Sequence, residues 1–344
     1  MFRKGRIVGF ILTGVFLWIV ARNVNGAELA AAFAAADYRM VAPAALATFC
    51  GYLLRTARWQ RIVRPVAPLP FGRAFGIVMM GFAANNLLPA RLGEVVRAYM
   101  LRRHTGARKT YGMATIILER VCDGMVLILF LGVISALMPL PAWGQEVQSF
   151  STVLFLGATL CIIVLLMQES LAVKIANAVF SVLPGRLSGP FLRAIEVFIS
   201  GLHSLKSRRS LVFVILLSVA VWVFEAASYL MMITAFNVRL TPDTPLLAAG
   251  FLLVVVNLGI MVPSAPGYIA TFQFFAYTAL GVFGVPKETG LAVAILSHGM
   301  QWLLVTAIGA AYFLRENVTL RGIERQAESD TEDDAAPLPA GTDV

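Results

Sequence analysis

Apolar runs of roughly helix-spanning length recur along this chain, separated by short basic or Pro/Gly-rich pieces. About 17–25 predominantly apolar residues suffice for an α-helix to cross a bilayer. The pattern predicts full spans at about 7–22, 41–56, 110–138, 150–167, 211–236 and 290–314. Two further apolar stretches are interrupted. Residues 71–104 break at Asn85-Asn86-Leu-Leu-Pro89-Ala-Arg91-Leu-Gly93-Glu94, and residues 246–284 break at Pro263-Ser-Ala-Pro266-Gly267. Backbone freed by such breaks cannot face lipid, where each unsatisfied group costs several kcal/mol, so each break is expected to line a protein-enclosed polar space.

Charge orients these elements. Segments 55–73 and 102–109 hold five and four basic residues and no acids, which places both on the cytoplasmic side. The chain between them must enter and return, and its arms around Pro89 are too short for two spans at 1.5 Å per residue, so a re-entrant hairpin is predicted. The loop at 139–149 lacks Lys and Arg and is expected outside, whereas 168–210 carries six basic residues and reads as a cytoplasmic amphipathic segment. With Arg315, Arg321 and Arg325 after the last span, both termini are expected inside, and 246–284 becomes a hairpin from the opposite face, two full spans remaining the alternative. Arg55, Arg58, Arg61 and Arg64 recur every three residues, as in a helix end that snorkels along the interface. Fold class: an all-α integral membrane protein of about six full spans and two opposed re-entrant hairpins. The halves form an inverted-repeat-like bundle, the first repeat at about 41–138 and the second at about 211–314.

Composition sharpens this picture. Hydrophobic residues make up 59% of the 344 positions and charged ones 14%, against about 25% in ordinary soluble domains. A polytopic domain over 1–325 leaves no room for a folded catalytic domain. Residues 326–344 hold six acids and no base, an expected disordered tail, which leaves 28 bases against 13 acids in 1–325. Those bases sit in short loops, so nucleic-acid binding is not expected. Cys50, Cys122 and Cys161 lie in apolar segments without metal-ligand spacing, and no metal or cofactor is expected. The basic start before Ile7 imitates a signal peptide, but no small-x-small cleavage site follows, so a retained first helix is predicted.

Three motifs carry a resemblance. Residues 86–97 (Asn-Leu-Leu-Pro-Ala-Arg-Leu-Gly-Glu-Val-Val-Arg), Glu119-Arg120-x-x-Asp123 and residues 266–273 (Pro-Gly-Tyr-Ile-Ala-Thr-Phe-Gln) are similar to those of the lysylphosphatidylglycerol synthase transmembrane family. That family is the flippase-like domain of bacterial aminoacyl-phospholipid synthases and of stand-alone proteins. The resemblance implies lipid movement in a bacterial cytoplasmic membrane rather than lipid synthesis, with no soluble transferase domain expected in these 344 residues. The family's Pro-Gly-Gly-x-Gly-x-x-Glu reads here Pro266-Gly-Tyr-x-Ala-x-x-Gln273, so an amide replaces a carboxylate.

The candidate substrate-binding residues are Arg91, Glu94, Arg97, Asn85, Asn86, Glu119, Asp123, Asn257, Gln273 and His298. Arg91 and Arg97 offer guanidinium forks to a phosphate, though Arg97 is equally placed to neutralise Glu94 at i+3. Glu119 and Asp123 share one helix face and need cations at membrane depth, for which Arg91 and Arg97 are the expected partners. His298, Gln301 and Glu225 suggest a proton relay or hydrogen-bonded packing. Asn85, Asn86, Asn257 and Gln273 either satisfy backbone at the breaks or touch substrate. Three functions compete. A flippase for an anionic phospholipid or polyprenyl-linked lipid, without enzymatic activity, is preferred. The others are a non-transporting partner that docks a lipid-modifying enzyme through 168–210, and a membrane-embedded lipid transferase.

Overall fold

A computed structural model describes residues 2–22, 24–88, 92–167, 208–240, 244–262 and 264–318, and among these every regular element is helical. The helices are α1 (Phe2–Ala21), α2 (Gly26–Ala34), α3 (Val41–Val63), α4 (Phe71–Leu87), α5 (Gly93–Thr105), α6 (Lys109–Leu137), α7 (Ala142–Met167), α8 (Arg208–Ala235), α9 (Pro245–Gly259), α10 (Thr271–Gly281) and α11 (Lys287–Arg315). The expected amphipathic segment 168–210 falls almost wholly outside the described residues, as do the acidic tail and Arg91.

Among the described residues, three helical stretches are long and apolar enough to cross a bilayer, Tyr38–Val63, Arg209–Ala235 and Lys287–Arg315, where six spans are expected. Part of the difference has a visible cause. At 29 residues α6 is long enough, but Glu119, Arg120 and Asp123 interrupt its apolar run. Helix α1 meets α2 at a bend of 84°. Helix α2 itself is absent from the sequence expectation. Its start is capped by Asn25, whose Oδ1 accepts from the Ala27 and Glu28 amides while its Nδ2 donates to Glu28 Oε1 at 2.7 Å. An alanine-rich stretch then propagates the helix. The outer surface remains apolar, with Phe10, Trp18, Leu160, Leu216, Leu303 and Leu314 all more than half exposed, as lipid-facing positions are and soluble surfaces are not.

Contacts at the helix ends sort the elements by face. Tyr111 Oη donates to the Ile62 and Val63 carbonyls, and His104 lies 3.4 Å from Glu316. The end of α3, the loop into α4, the end of α5, the start of α6 and the end of α11 therefore share one face, where Arg64, Arg73, Arg102 and Arg103 are exposed. At the other face the Asp37 amide donates to the Ala235 carbonyl, Lys287 Nζ donates to the Arg22 carbonyl at 2.7 Å, and the Asn25 amide donates to Glu288 Oε1. So α4 begins and α5 ends on the basic face, while α9 begins and α10 ends on the opposite one.

The first pair packs at backbone distance. A Cβ on Gly93 would fall on the Gly81 carbonyl oxygen, so glycine is required where α5 starts against α4. The Gly93 amide donates to Asn85 Oδ1 at 2.8 Å, which satisfies one of the donors that a helix N-terminus leaves open. Around the second break Gly267, Tyr268 and Ala270 all have positive φ, at 69°, 57° and 66°. The Ala265 amide donates to Thr13 Oγ1 of α1 at 2.7 Å, so the first helix braces that break.

Candidate functional site

Helix α3 does not end in an interfacial snorkel. It runs unbroken to Val63, and Arg55 and Arg58 are buried, at 8% and 0% exposure, against α6 and α8. Only Arg64 is exposed as expected; Arg61 is half-buried, its guanidinium 5.8 Å from the Phe213 ring centroid. The cause is a set of carboxylates at matching depth. Arg58 Nη1 donates to Asp123 Oδ1 at 2.7 Å and to Ser218 Oγ at 3.0 Å, and Nη2 lies 3.4 Å from Glu119 Oε1. Arg97 Nη2 donates to Glu119 Oε2 at 2.6 Å and stacks its guanidinium 4.7 Å over Trp59, whose Nε1 donates to Thr115. Arg97 thus takes Glu119, as one expectation has it, and not Glu94. The closest cation to Asp123 is Arg58, a residue absent from the expected set.

A looser layer lies over this clasp. Arg55 sits 3.5 Å from Glu225 and 3.7 Å from Asp123 Oδ2, and Arg120 sits 3.8 Å from the same Asp123 oxygen. Charge-assisted hydrogen bonds run about 2.7–2.9 Å, so these are contacts of charge without directed bonds. Arg55 also stacks 4.7 Å over Trp222. The Arg120 side chain is 40% exposed.

Both arginines line a cavity of about 340 Å³, within the usual range of ligand pockets. Of the expected residues, Asn85, Asn86, Glu94, Asp123, Asn257 and His298 line it. Arg97 and Glu119 lie in the tight clasp, and Gln273 lies 3.1 Å from His298 Nδ1. His298 stacks on Phe272 with centroids 4.4 Å apart, and the polar side chain it meets is the Gln273 amide, not Glu225. Asn85 serves the backbone at its break, Asn257 donates to its own helix at the Leu253 carbonyl, and Asn86 Nδ2 donates to Thr306 Oγ1 of α11. Sequence reasoning missed Arg55 and Arg120 as cavity groups. The signal for Arg55 was the need of Asp123 and Glu225 for a cation at their own depth.

Both breaks border this space. Asn86 and Glu94 come from the first, Asn257 and Tyr268 from the second, and the position of a Cβ on Gly267 lies 3.2 Å from the Asn86 carbonyl and 3.0 Å from Trp302 Nε1. Several atoms of cavity-lining residues are buried without a hydrogen-bond partner among the described residues, namely Arg120 Nε, Asp123 Oδ2 and Gln301 Nε2. Such groups are costly unless a ligand or water meets them.

The sequence model of the family described as the lysylphosphatidylglycerol synthase TM region matches residues 6–309. The chain belongs to that family. A multi-pass membrane protein follows from this membership and from the apolar helices. Among relatives of this family member, a UPF0104 membrane protein of Methanothermobacter thermautotrophicus is 25% identical over 328 residues, covering 90% of this chain and 95% of the relative. UPF0104 membrane protein MJ1595 of Methanocaldococcus jannaschii is 24% identical over 270 residues, covering 75% and 79%. Glycosyltransferase AglD of Haloferax volcanii is 24% identical over 353 residues, covering 94% of this chain, which spans 56% of AglD's length. These relatives are archaeal, so the expected bacterial membrane finds no support in them.

Proposed function

We propose that this protein moves an anionic phospholipid or another phosphate-headed, lipid-linked molecule across its membrane, without itself being an enzyme. The observation that carries the reading is the pair of loosely held arginines in a cavity bordered by both broken helix pairs. In this reading α4/α5 and α9/α10 are re-entrant hairpins from opposite leaflets. Their lengths of 17, 13, 15 and 11 residues lie at or below the lower end of the spanning range. The basic face is cytoplasmic and holds the end of α11.

Arg120 is the residue that receives the head group. Asp123 keeps its 2.7 Å bond to Arg58 when Arg120 turns away, so no buried carboxylate loses its last cation. Arg55 is less free, because it is the cation that Glu225 pairs with among the described residues. A guanidinium that binds phosphate through its fork then replaces water while the tails stay in the bilayer. Gln301 supplies a further donor from α11.

The test is head-group accessibility in reconstituted vesicles, with labelled phosphatidylglycerol in one arm and a labelled polyprenyl phosphate in the other. Transport is expected to expose more label to an external quencher than protein-free vesicles do. Equal exposure in both arms sinks the proposal. A second reading, a membrane module serving a lipid-modifying enzyme, is favoured by AglD's name and by the half of AglD that this chain leaves uncovered. That reading expects a stoichiometric partner on purification and no movement of lipid.

A further inference from the structure

A second depression, of about 510 Å³, lies beside the polar cavity between α7, α9 and α10. Its walls are mainly apolar, formed by Trp143, Phe150, Leu154 and Phe275 among others, with Glu146 and Ser151 as the polar members. It opens outward: Phe150 is 71% exposed and Leu154 45%, on a face that meets lipid. Inward it abuts the polar cavity, and Phe155 and Met261 line both spaces.

The division between the two spaces is thin. The Phe155 ring rests on Gly124, where any Cβ would collide with it, and Gly124 follows Asp123 directly. One aromatic ring therefore separates the Asp123–Arg120 contact from an apolar groove. Phe275, on the far wall, rests in the same way on Gly259. Met261, 46% exposed, belongs to the second break and is unbranched, so it can adapt its shape to what passes.

From this continuity we infer that the groove holds the hydrocarbon chain of the same phosphate-headed lipid whose head group occupies the polar cavity, a conclusion that rests on the transport reading above. An amphiphile with its head against Arg120 must still bury its tail, because every methylene left in a polar space forfeits the gain of apolar burial. The groove begins where the polar cavity ends and opens to the bilayer, so the tail stays in apolar surroundings throughout. A groove for a protein helix would need no access to Asp123; a groove for a lipid tail does.

The experiment uses the full chain in vesicles with two photoreactive probes, a diazirine midway along the hydrocarbon chain and a diazirine in the head group. Each is made both as phosphatidylglycerol and as a polyprenyl phosphate, and cross-links are mapped by mass spectrometry. Tail labelling is expected at 150–155 and 258–275, competed away by the unlabelled lipid of whichever source is bound. Head-group labelling is expected around Arg55 and Arg120. Leu154→Trp, at an exposed position that lines the groove and not the polar cavity, should cut the competed tail labelling at least fivefold, with head-group labelling falling alongside it. Tail labelling spread evenly over the lipid-facing helices, indifferent to competitor while head-group labelling persists, overturns the groove and leaves the polar cavity standing. Absence of competed head-group labelling overturns the transport reading and the joint site with it.

Discussion

Four arginines meet three carboxylates among the described residues, and their distances divide them by task. Arg58 and Arg97 hold carboxylates at 2.6–2.7 Å inside the packing, whereas Arg55 and Arg120 face the cavity at 3.5–3.8 Å. Removing one partner of a buried pair leaves an uncompensated charge and costs about 3–5 kcal/mol. Arg58→Ala is therefore expected to lower the folded yield sharply, seen as aggregation on size-exclusion chromatography. Arg120→Ala should elute normally but lose about ten- to a hundredfold in lipid affinity, the equivalent of one charge-assisted bond of about 1.5–3 kcal/mol. Normal transport by Arg120→Ala would exclude it as the receiving group. The sequence made Glu119 and Asp123 legible as buried acids that need cations. It did not reveal Arg55 and Arg58 as those cations, because an arginine every third residue at the end of an apolar run also suits an interfacial helix end. The distinction depends on which helix packs against that face, information held by α6 and α8 and not by α3.

The broken pairs were legible as elements because Pro89, Gly93, Pro263 and Gly267 interrupt apolar runs too conspicuously to belong to ordinary spans. Helix boundaries were less so: α7 begins at Ala142, eight residues before the expected start at 150, because Pro139 and Pro141 end the turn and Gln145 donates to the Leu140 carbonyl. The second break also explains a departure in its motif. Tyr268 and Ala270 stand where the family pattern carries glycine, and both adopt positive φ. A residue with a Cβ in such a conformation is strained by about 1–3 kcal/mol, partly offset in a glycine variant by its greater unfolded-state entropy. Ala270→Gly is expected to raise stability by about 1 kcal/mol, read as a higher melting temperature in detergent. A lower melting temperature would mean that the Ala270 methyl, buried at 3% exposure, contributes more by packing than the backbone loses.

Across the whole molecule, the basic ends of α3, α5 and α11 gather on one face while the turn before α7 belongs to the other. In a chain whose three cysteines are replaced, Arg64→Cys and Arg103→Cys should react with an impermeant maleimide only after the cell is opened. Ala142→Cys should react in intact cells, and the reverse pattern would invert the proposed topology. Charge asymmetry between loops made this arrangement readable without a structure. The meeting of the two breaks was not readable, since no local pattern places Gly267 against the Asn86 carbonyl and the Trp302 indole. That meeting has a mechanical consequence. Trp302 belongs to α11, an unbroken rod of 29 residues, and both interrupted elements lean on it at one point. A shift of either would press on the other there, so the two interrupted pairs are placed like the arms of one balance on a shared post.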